Sequence, residues 1–244
     1  MSAPGAAVAA LVEDLVAANR ILAHHGVLDG FGHVSARHPE RSDRFLLARS
    51  RAPELVAAAD IMEFDLDSAA QGSDTRKPYL ERFIHGEIYR MRPDVKAIVH
   101  SHSPSVIPFA ASSVKLRPVY HMGSFLSAGG APVFDIRKHF GCTDMLVRNR
   151  EQGAALAGDL GAQGVVLMRG HGFVAVAESI PVVVYRAIYT EVNAAAQQKA
   201  IALGGTVTYL ETDEAARSDE TNRAVSDRPW ELWKRQVLDP GRTP

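Results

Sequence analysis

The chain has 244 residues, 46% of them apolar and 23% charged, and its 27 basic groups against 28 acidic ones leave a net charge of −1. That length suits one large domain or two small ones and can bury a real core, while the even charge balance lacks the basic stripe of a nucleic-acid binder. No apolar run nears the roughly 18 to 20 residues of a membrane span, the N-terminal MSAPGAAVAALVEDLV lacks the basic region of a signal peptide, and one cysteine excludes an internal disulfide, so the expectation is a cytoplasmic protein with neither a membrane nor a nucleic-acid partner.

The first 26 residues predict a helix, with Val8, Leu11, Val12, Leu15, Ala18 and Leu22 at three- and four-residue spacing and Gly26 closing it. Gly30 and Gly32 mark a tight turn. His33–Arg37 and Arg44–Arg49 predict two strands of a hairpin. Pro53 opens a short helix through Ala59, and Met62–Asp67 alternates as an exposed-face strand does. After a polar loop over 68–77, Pro78 begins a strong helix that Arg92-Pro93-Asp94 ends, because proline forbids continuation. Val95–Val99 is a buried-type strand running into His100. A helix over 104–111, the segment Leu116–Tyr120, a short strand over Ala131–Ile136 and a helix over about 143–158 follow. Gly164–Met168 and Phe173–Ala177 are partner strands around a His-Gly turn. Pro181 opens the longest helix, which Gly204-Gly205 stops. Residues 211–228 carry dense charge of both signs and predict an exposed, partly mobile stretch, with Trp230 and Trp233 docking its end. Nothing divides the chain. Residues 1–244 read as one α/β domain, with 206–244 its C-terminal tail. A central sheet, largely antiparallel or mixed, has helices on both faces.

The ten histidines are the first clue to chemistry. In Val99-His-Ser-His102 the i, i+2 spacing puts two imidazoles on one strand face, roughly 6.5 to 7 Å apart, a separation that suits two ligands of one metal; alone, two polar histidines at a strand end explain it as well. In Arg169-Gly-His-Gly172, His171 sits at a strand end, and the glycines permit a sharp turn or a close approach to a ligand. Glu81 and His85 are four apart, on one helix face, beside Phe83 and Ile84. A buried carboxylate needs a partner, which a metal or the strand histidines would supply. Three imidazoles and one carboxylate suit Zn²⁺, Mn²⁺, Co²⁺ or Fe²⁺ in a catalytic site. His24, His25, His38 and His139 read as bystanders, and Cys142 as a small buried residue.

The order of these parts, from Gly32-His-Val-Ser-Ala-Arg37 through ERFIHGEIYRMRPDVKAIVHSH to Arg169-Gly-His-Gly172 and a long closing helix, resembles the class II aldolase/adducin head family over about residues 6–205. The resemblance implies a three-layer α/β/α fold. It implies a divalent metal on His100, His102 and His171, with Glu81 as a fourth ligand or acid/base. It also implies a homotetramer with active sites near subunit interfaces, where a tyrosine such as Tyr120 reaches across as proton donor.

Sugar-phosphate aldolases of that family cradle a phosphate with an Asn, a Thr-Gly pair and a Ser-Ser pair. Here those positions read His33, Arg49-Ser50-Arg51 and Tyr79-Leu80. Small donors give way to an imidazole, two guanidiniums and a bulkier wall, and guanidiniums match carboxylates. A small, planar, anionic, unphosphorylated substrate fits this set. The segments resemble the branch of metal-dependent decarboxylases of hydroxylated aromatic acids, of the dihydroxyphthalate type. The leading expectation is a metal-dependent carbon–carbon lyase that decarboxylates such an acid, with His33 or Glu81 as proton donor and Arg49, Ser50 and Arg51 at the substrate. The alternatives are an aldolase or epimerase on an unphosphorylated hydroxy-keto compound, an iron-dependent oxygenase, and a metal-free adducin-like interaction module.

Overall fold

The computed structural model describes residues 4–238. The chain runs α1 (Pro4–His24), β1 (His33–Arg37), β2 (Arg44–Ala48), β3 (Ile61–Asp65), α2 (Arg82–Met91), β4 (Ala97–Ser101), α3 (Ile107–Ala111), β5 (Val133–Phe134), α4 (Ile136–Phe140), α5 (Arg150–Leu160), β6 (Val165–Met168), β7 (Gly172–Ala177), α6 (Ile180–Ala202), α7 (Thr212–Ala224) and α8 (Asp227–Leu238). The strands form one sheet in the order β3-β2-β1-β4-β7-β6-β5. Every neighbour pair is antiparallel except β5 with β6, so the mixed, mainly antiparallel expectation holds.

Alternation along the strands builds two cores. Val34, Ala97, Val99, Phe173 and Ala175 face one side, where Leu15, Ile21 and Leu22 of α1 and Val183, Tyr185 and Ile188 of α6 cover them. Phe45, Ile98, Val166, Val174 and Val176 face the other, under Ile84 and Ile88 of α2 and Leu156 and Leu160 of α5. The result is the three-layer α/β/α sandwich. His100 follows Val99 by one residue, so the strand period of two turns it toward the α2 layer. β1 pairs β4 with His33 directly opposite His100.

Several boundaries differ from the sequence expectation. The helix after Pro78 begins only at Arg82, because Pro78 is bridged to Arg49 and the Ser50 amide donates to the Lys77 carbonyl, which holds 77–78 extended. Pro53–Ala59 makes two 3-10 turns, Pro53–Leu55 and Ala58–Asp60, the second closed by the Asp60 carboxylate accepting from the Ala57 amide. The helix expected from 143 starts at Arg150, where the Asn149 side chain caps it. Leu116–Tyr120 forms no regular element. Its backbone is instead paired to α6 side chains: Asn193 bonds the Val119 amide and the Arg117 carbonyl, and Gln197 bonds the Arg117 amide and the Lys115 carbonyl.

The charged stretch 211–228 is largely helical, in α7 and the start of α8. Trp230 and Trp233 are buried in the α1/α6 core, and Lys234 pairs with Asp14 of α1. The parts of the expected helix and tail at residues 1–3 and 239–244 lie outside the described residues. Cys142 is exposed, not buried, because it follows Gly141 (φ 72°) in the loop after α4.

Candidate metal centre

The close approach of β7 to the end of β4 depends on Gly172. A Cβ there would stand 1.9 Å from the Ser101 carbonyl oxygen, well inside contact distance. Gly170 turns the chain with φ 62°, a conformation that glycine adopts without steric cost. These two glycines bring His171 against the His100/His102 pair. Glu81 arrives from the opposite layer, not on the helix as expected but at the N-cap of α2, where its Oε1 accepts from the Val147 amide at 2.9 Å. One ligand atom from each of Glu81, His100, His102 and His171 lies within 4.8 Å of the other three.

The outer bonds fix which nitrogen each histidine turns inward. His100 Nδ1 donates to the Phe173 carbonyl at 3.2 Å. His171 Nδ1 donates to the Met145 carbonyl at 3.0 Å. His102 Nδ1 lies 3.2 Å from both oxygens of Asp29. A carbonyl or carboxylate can only accept, so each ring carries its proton on Nδ1 and turns an Nε2 lone pair inward. Two of those nitrogens approach Glu81 Oε2, His100 at 3.5 Å and His171 at 3.4 Å, and His102 Nε2 stands beside that of His171. His100 Nε2 is buried with no hydrogen-bond partner. Three inward lone pairs beside a carboxylate are a donor set for a divalent cation, and oxygen-bonded Nδ1 groups are the usual outer support of metal-bound imidazoles. The residues present therefore fit a metal. Met145 holds its carbonyl toward His171 from φ 70°, a costly conformation for a non-glycine residue.

Electrostatics follow the same geometry. Burial alone would raise the Glu81 carboxyl, but the close approach of the His100 and His171 rings outweighs it and holds the group well below the usual carboxylate range. His171 is burdened by burial yet ends raised, through the same carboxylate. His100 is lowered, with burial the largest cause.

The remaining expected residues divide. His33 is buried, its ring centroid 5.0 Å from that of His100 and 4.6 Å from that of Tyr79. Burial first, and then the neighbouring His85 and His100, push it well below its ordinary pKa. Arg49 and Arg51 share one carboxylate: their Nε atoms lie 2.7 and 3.4 Å from Asp60. Asp60 is itself buried and ends lowered, because hydrogen bonds from the Ala57 amide and Arg49 outweigh the burial. The Tyr79 hydroxyl donates to the Arg51 carbonyl, so Tyr79 joins the arginine segment to His33. Leu80, expected to narrow the site, is exposed. Ser50 is exposed and joins this segment through its backbone amide. Tyr120 does not meet the cluster: its ring packs beside His121 and Tyr189 of α6, and its hydroxyl is buried without a partner among the described residues.

Sequence reasoning missed Asp29, Asp60, Ser35 and Tyr89, and it placed His85 only as the helix-face neighbour of Glu81. Asp29 was legible only as a turn residue: its carboxylate also accepts from the Phe31 and Gly32 amides.

The sequence model described as Class II Aldolase and Adducin N-terminal domain matches residues 13–198. Among curated proteins, the chain is 39% identical to Decarboxylase tropJ of Talaromyces stipitatus, over 93% of each chain. It is 35% identical to the 3,4-dihydroxyphthalate decarboxylase of Arthrobacter keyseri, over 84% of each. Among solved structures, the L-fuculose 1-phosphate aldolase from Glaciozyma antarctica superposes with a TM-score of 0.79 at 22% identity, covering 97% of this chain and 92% of that one. At that identity the likeness speaks for the fold alone.

Proposed function

The chain belongs to the class II aldolase and adducin N-terminal domain family, and from that premise we propose that it is a metal-dependent lyase that decarboxylates a hydroxylated aromatic carboxylate of the dihydroxyphthalate class. The observation that carries this reading is a His₃Glu donor set whose flanking positions hold Arg49, Arg51, His33 and Tyr79. The names of two relatives, both decarboxylases, point the same way.

His100, His102 and His171 would hold the divalent ion, with Glu81 beside them; zinc, manganese, cobalt and iron all accept this set. The bound ion supplies Lewis acidity, stabilising negative charge that develops on substrate oxygens as the C–C bond breaks. The rest is the work of this chain's groups. Asp60 holds Arg49 and Arg51 by their Nε atoms, leaving the outer guanidinium edges to orient a substrate carboxylate. Glu81, ionised, accepts a phenolic proton and returns it to the ring carbon that CO₂ leaves. The carboxylate's C–C electron pair becomes the new C–H bond, and the phenolate regains a proton from water. His33 lies within the same wall to hold a substrate oxygen. Tyr120, its hydroxyl buried and without a partner among the described residues, takes no part in this reaction; a homotetramer belongs to the proposal as the assembly that the family resemblance implies. Light scattering on the purified protein tests that assembly.

The deciding experiment incubates metal-reconstituted protein with dihydroxyphthalates and hydroxybenzoates and follows CO₂ in the headspace, with His102→Ala as control. Release that disappears in the variant is the expected result. No release at about one ion per chain overturns the decarboxylase reading and makes carbonyl donors, for aldol chemistry, the next substrates.

A further inference from the structure

Beneath the candidate metal centre, Tyr89, Ser35 and His85, none of which the reaction above uses, form a buried hydrogen-bonded file that ends on His33. The Tyr89 hydroxyl lies 2.8 Å from Ser35 Oγ. Ser35 Oγ lies 2.6 Å from His85 Nδ1. His85 Nε2 lies 2.7 Å from His33 Nδ1. Ser35, His85 and Tyr89 are at most 1% exposed and His33 is 2% exposed. The file crosses from α2 to β1, and it ends on the strand residue directly opposite His100.

The protons between Ser35 and His33 can run in either of two directions, and the buried hydroxyls of Tyr89 and Ser35 together select one. A phenol O–H buried this deeply must donate, and Ser35 Oγ is its only hydrogen-bond partner among the described residues. Tyr89 therefore donates to Ser35, whose own hydroxyl proton is free to go to His85 Nδ1. His85 is neutral, with burial pushing it down to about 3, so its one ring proton sits on Nε2 and is donated to His33 Nδ1. His33 must then carry its proton on Nε2, which bonds no protein group among the described residues. The reverse order leaves the Tyr89 O–H buried without an acceptor or, where Ser35 Oγ accepts from both Tyr89 and His85, leaves the Ser35 hydroxyl proton without one among the described residues; either way a full desolvation penalty follows. Arg37 does not relieve it: the guanidinium lies over the Tyr89 ring and bonds the Tyr89 carbonyl, not the hydroxyl.

We infer that His85, fixed by Ser35 and Tyr89, is a positioning residue that locks His33 in the tautomer with Nδ1 accepting and Nε2–H free, so that His33 meets its ligand as a hydrogen-bond donor to an oxyanion and not as a base. The identity of that oxyanion, a carboxylate or phenolate of the substrate, rests on the reading proposed above. The tautomer does not.

Histidine-selective ¹⁵N labelling of the zinc-loaded protein reads the tautomer directly, with no substrate present. His33 Nε2 and His85 Nε2 are expected to give protonated, pyrrole-type nitrogens, and both Nδ1 atoms pyridine-type ones. Tyr89→Phe and Ser35→Ala, which remove the directing hydroxyls one at a time, are expected to shift His33 toward a mixture of tautomers. His33 protonated on Nδ1 in the parent protein overturns the inference, and so does an unchanged pure tautomer in folded Ser35→Ala. In turnover, His85→Gln, whose amide N–H can still donate to His33, is expected to exceed His85→Ala by about tenfold, the worth of one hydrogen bond to a charged group; equal rates in the two folded variants count against it. If the chosen carboxylates are not substrates, the labelling result still stands or falls by itself.

Discussion

His102 Nε2 and His171 Nε2 face one another at 3.2 Å, although each imidazole already donates through its other nitrogen to an oxygen acceptor. Two neutral rings with both protons turned outward have no hydrogen to share at that contact, so their lone pairs repel until a cation lies between them.

The first prediction concerns that cation and the group behind it. Asp29→Ala removes the carboxylate that orients His102 but leaves all four ligands. Loss of such an outer partner typically weakens a metal 10- to 100-fold. Isothermal titration of the stripped protein with Zn²⁺ should give about one site per chain, weakened to that degree in Asp29→Ala and lost in His102→Ala. Chelation should lower the melting temperature of the parent. At 100 times the dissociation constant, a bound ligand stabilises a fold by about 2.7 kcal/mol.

Glu81 is the second. Glu81→Gln keeps an Oε1 to accept from the Val147 amide, so the N-cap of α2 should persist. It loses the charge beside His100 and His171 and the ability to carry a proton. A drop in kcat of about 10²- to 10⁴-fold is expected, with the circular dichroism spectrum unchanged. A variant that keeps parental kcat would remove Glu81 from the reaction.

Asp60 supports the third. Its single buried carboxylate holds Arg49 and Arg51 and also accepts from the Ala57 amide. Asp60→Ala should lower stability by about 1 to 3 kcal/mol through the orphaned partners and should raise KM for the carboxylate substrate. Arg51→Lys keeps the charge but loses the fork, and should raise KM with a smaller change in stability, read by urea unfolding.

Acid sensitivity of the metal-free protein is the fourth. His85 has an ordinary pKa of 6.5 and lies near 3 in the fold; His33 and His100 are lowered as well. A lowered histidine favours the folded state fully above about pH 6.5, and that advantage is lost as the pH falls toward 3, because the unfolded chain takes up the proton first. His85 contributes a slope of up to ~1.4 kcal/mol per pH unit in that window, and His33 and His100 act in the same direction. His171, raised by Glu81, acts with the opposite sign, one histidine against four, since burial lowers His25 too. Melting temperatures from pH 7.5 to 4.5 should fall steadily, and a flat profile would contradict the neutral buried state of these rings. With metal bound the fall should steepen, since protons then compete for the ligands.

Much of this protein was legible in its sequence. The α/β class, most strands and the long α6 rest on short-range signals, side-chain period and proline and glycine punctuation, whereas the family resemblance joined Glu81, His100, His102 and His171 into one candidate set. Those signals act within a few residues and survive without knowledge of the fold. The helix expected from Pro78 failed for the converse reason, since a bridge to Arg49 overrode local helix preference and left Glu81 at a cap. What tertiary structure alone decided is the surroundings of the ligands. His33 stands opposite His100 only through the β1–β4 register. Asp29 meets His102 across 73 residues, and the acceptors for His100 and His171 are backbone carbonyls of Phe173 and Met145. A carbonyl is common to every residue type, so no spacing or composition can announce it. Which nitrogen of His100 and His171 turns inward is therefore set by the folded backbone, and that of His102 by a distant side chain, while the presence of the histidines was already written in the chain.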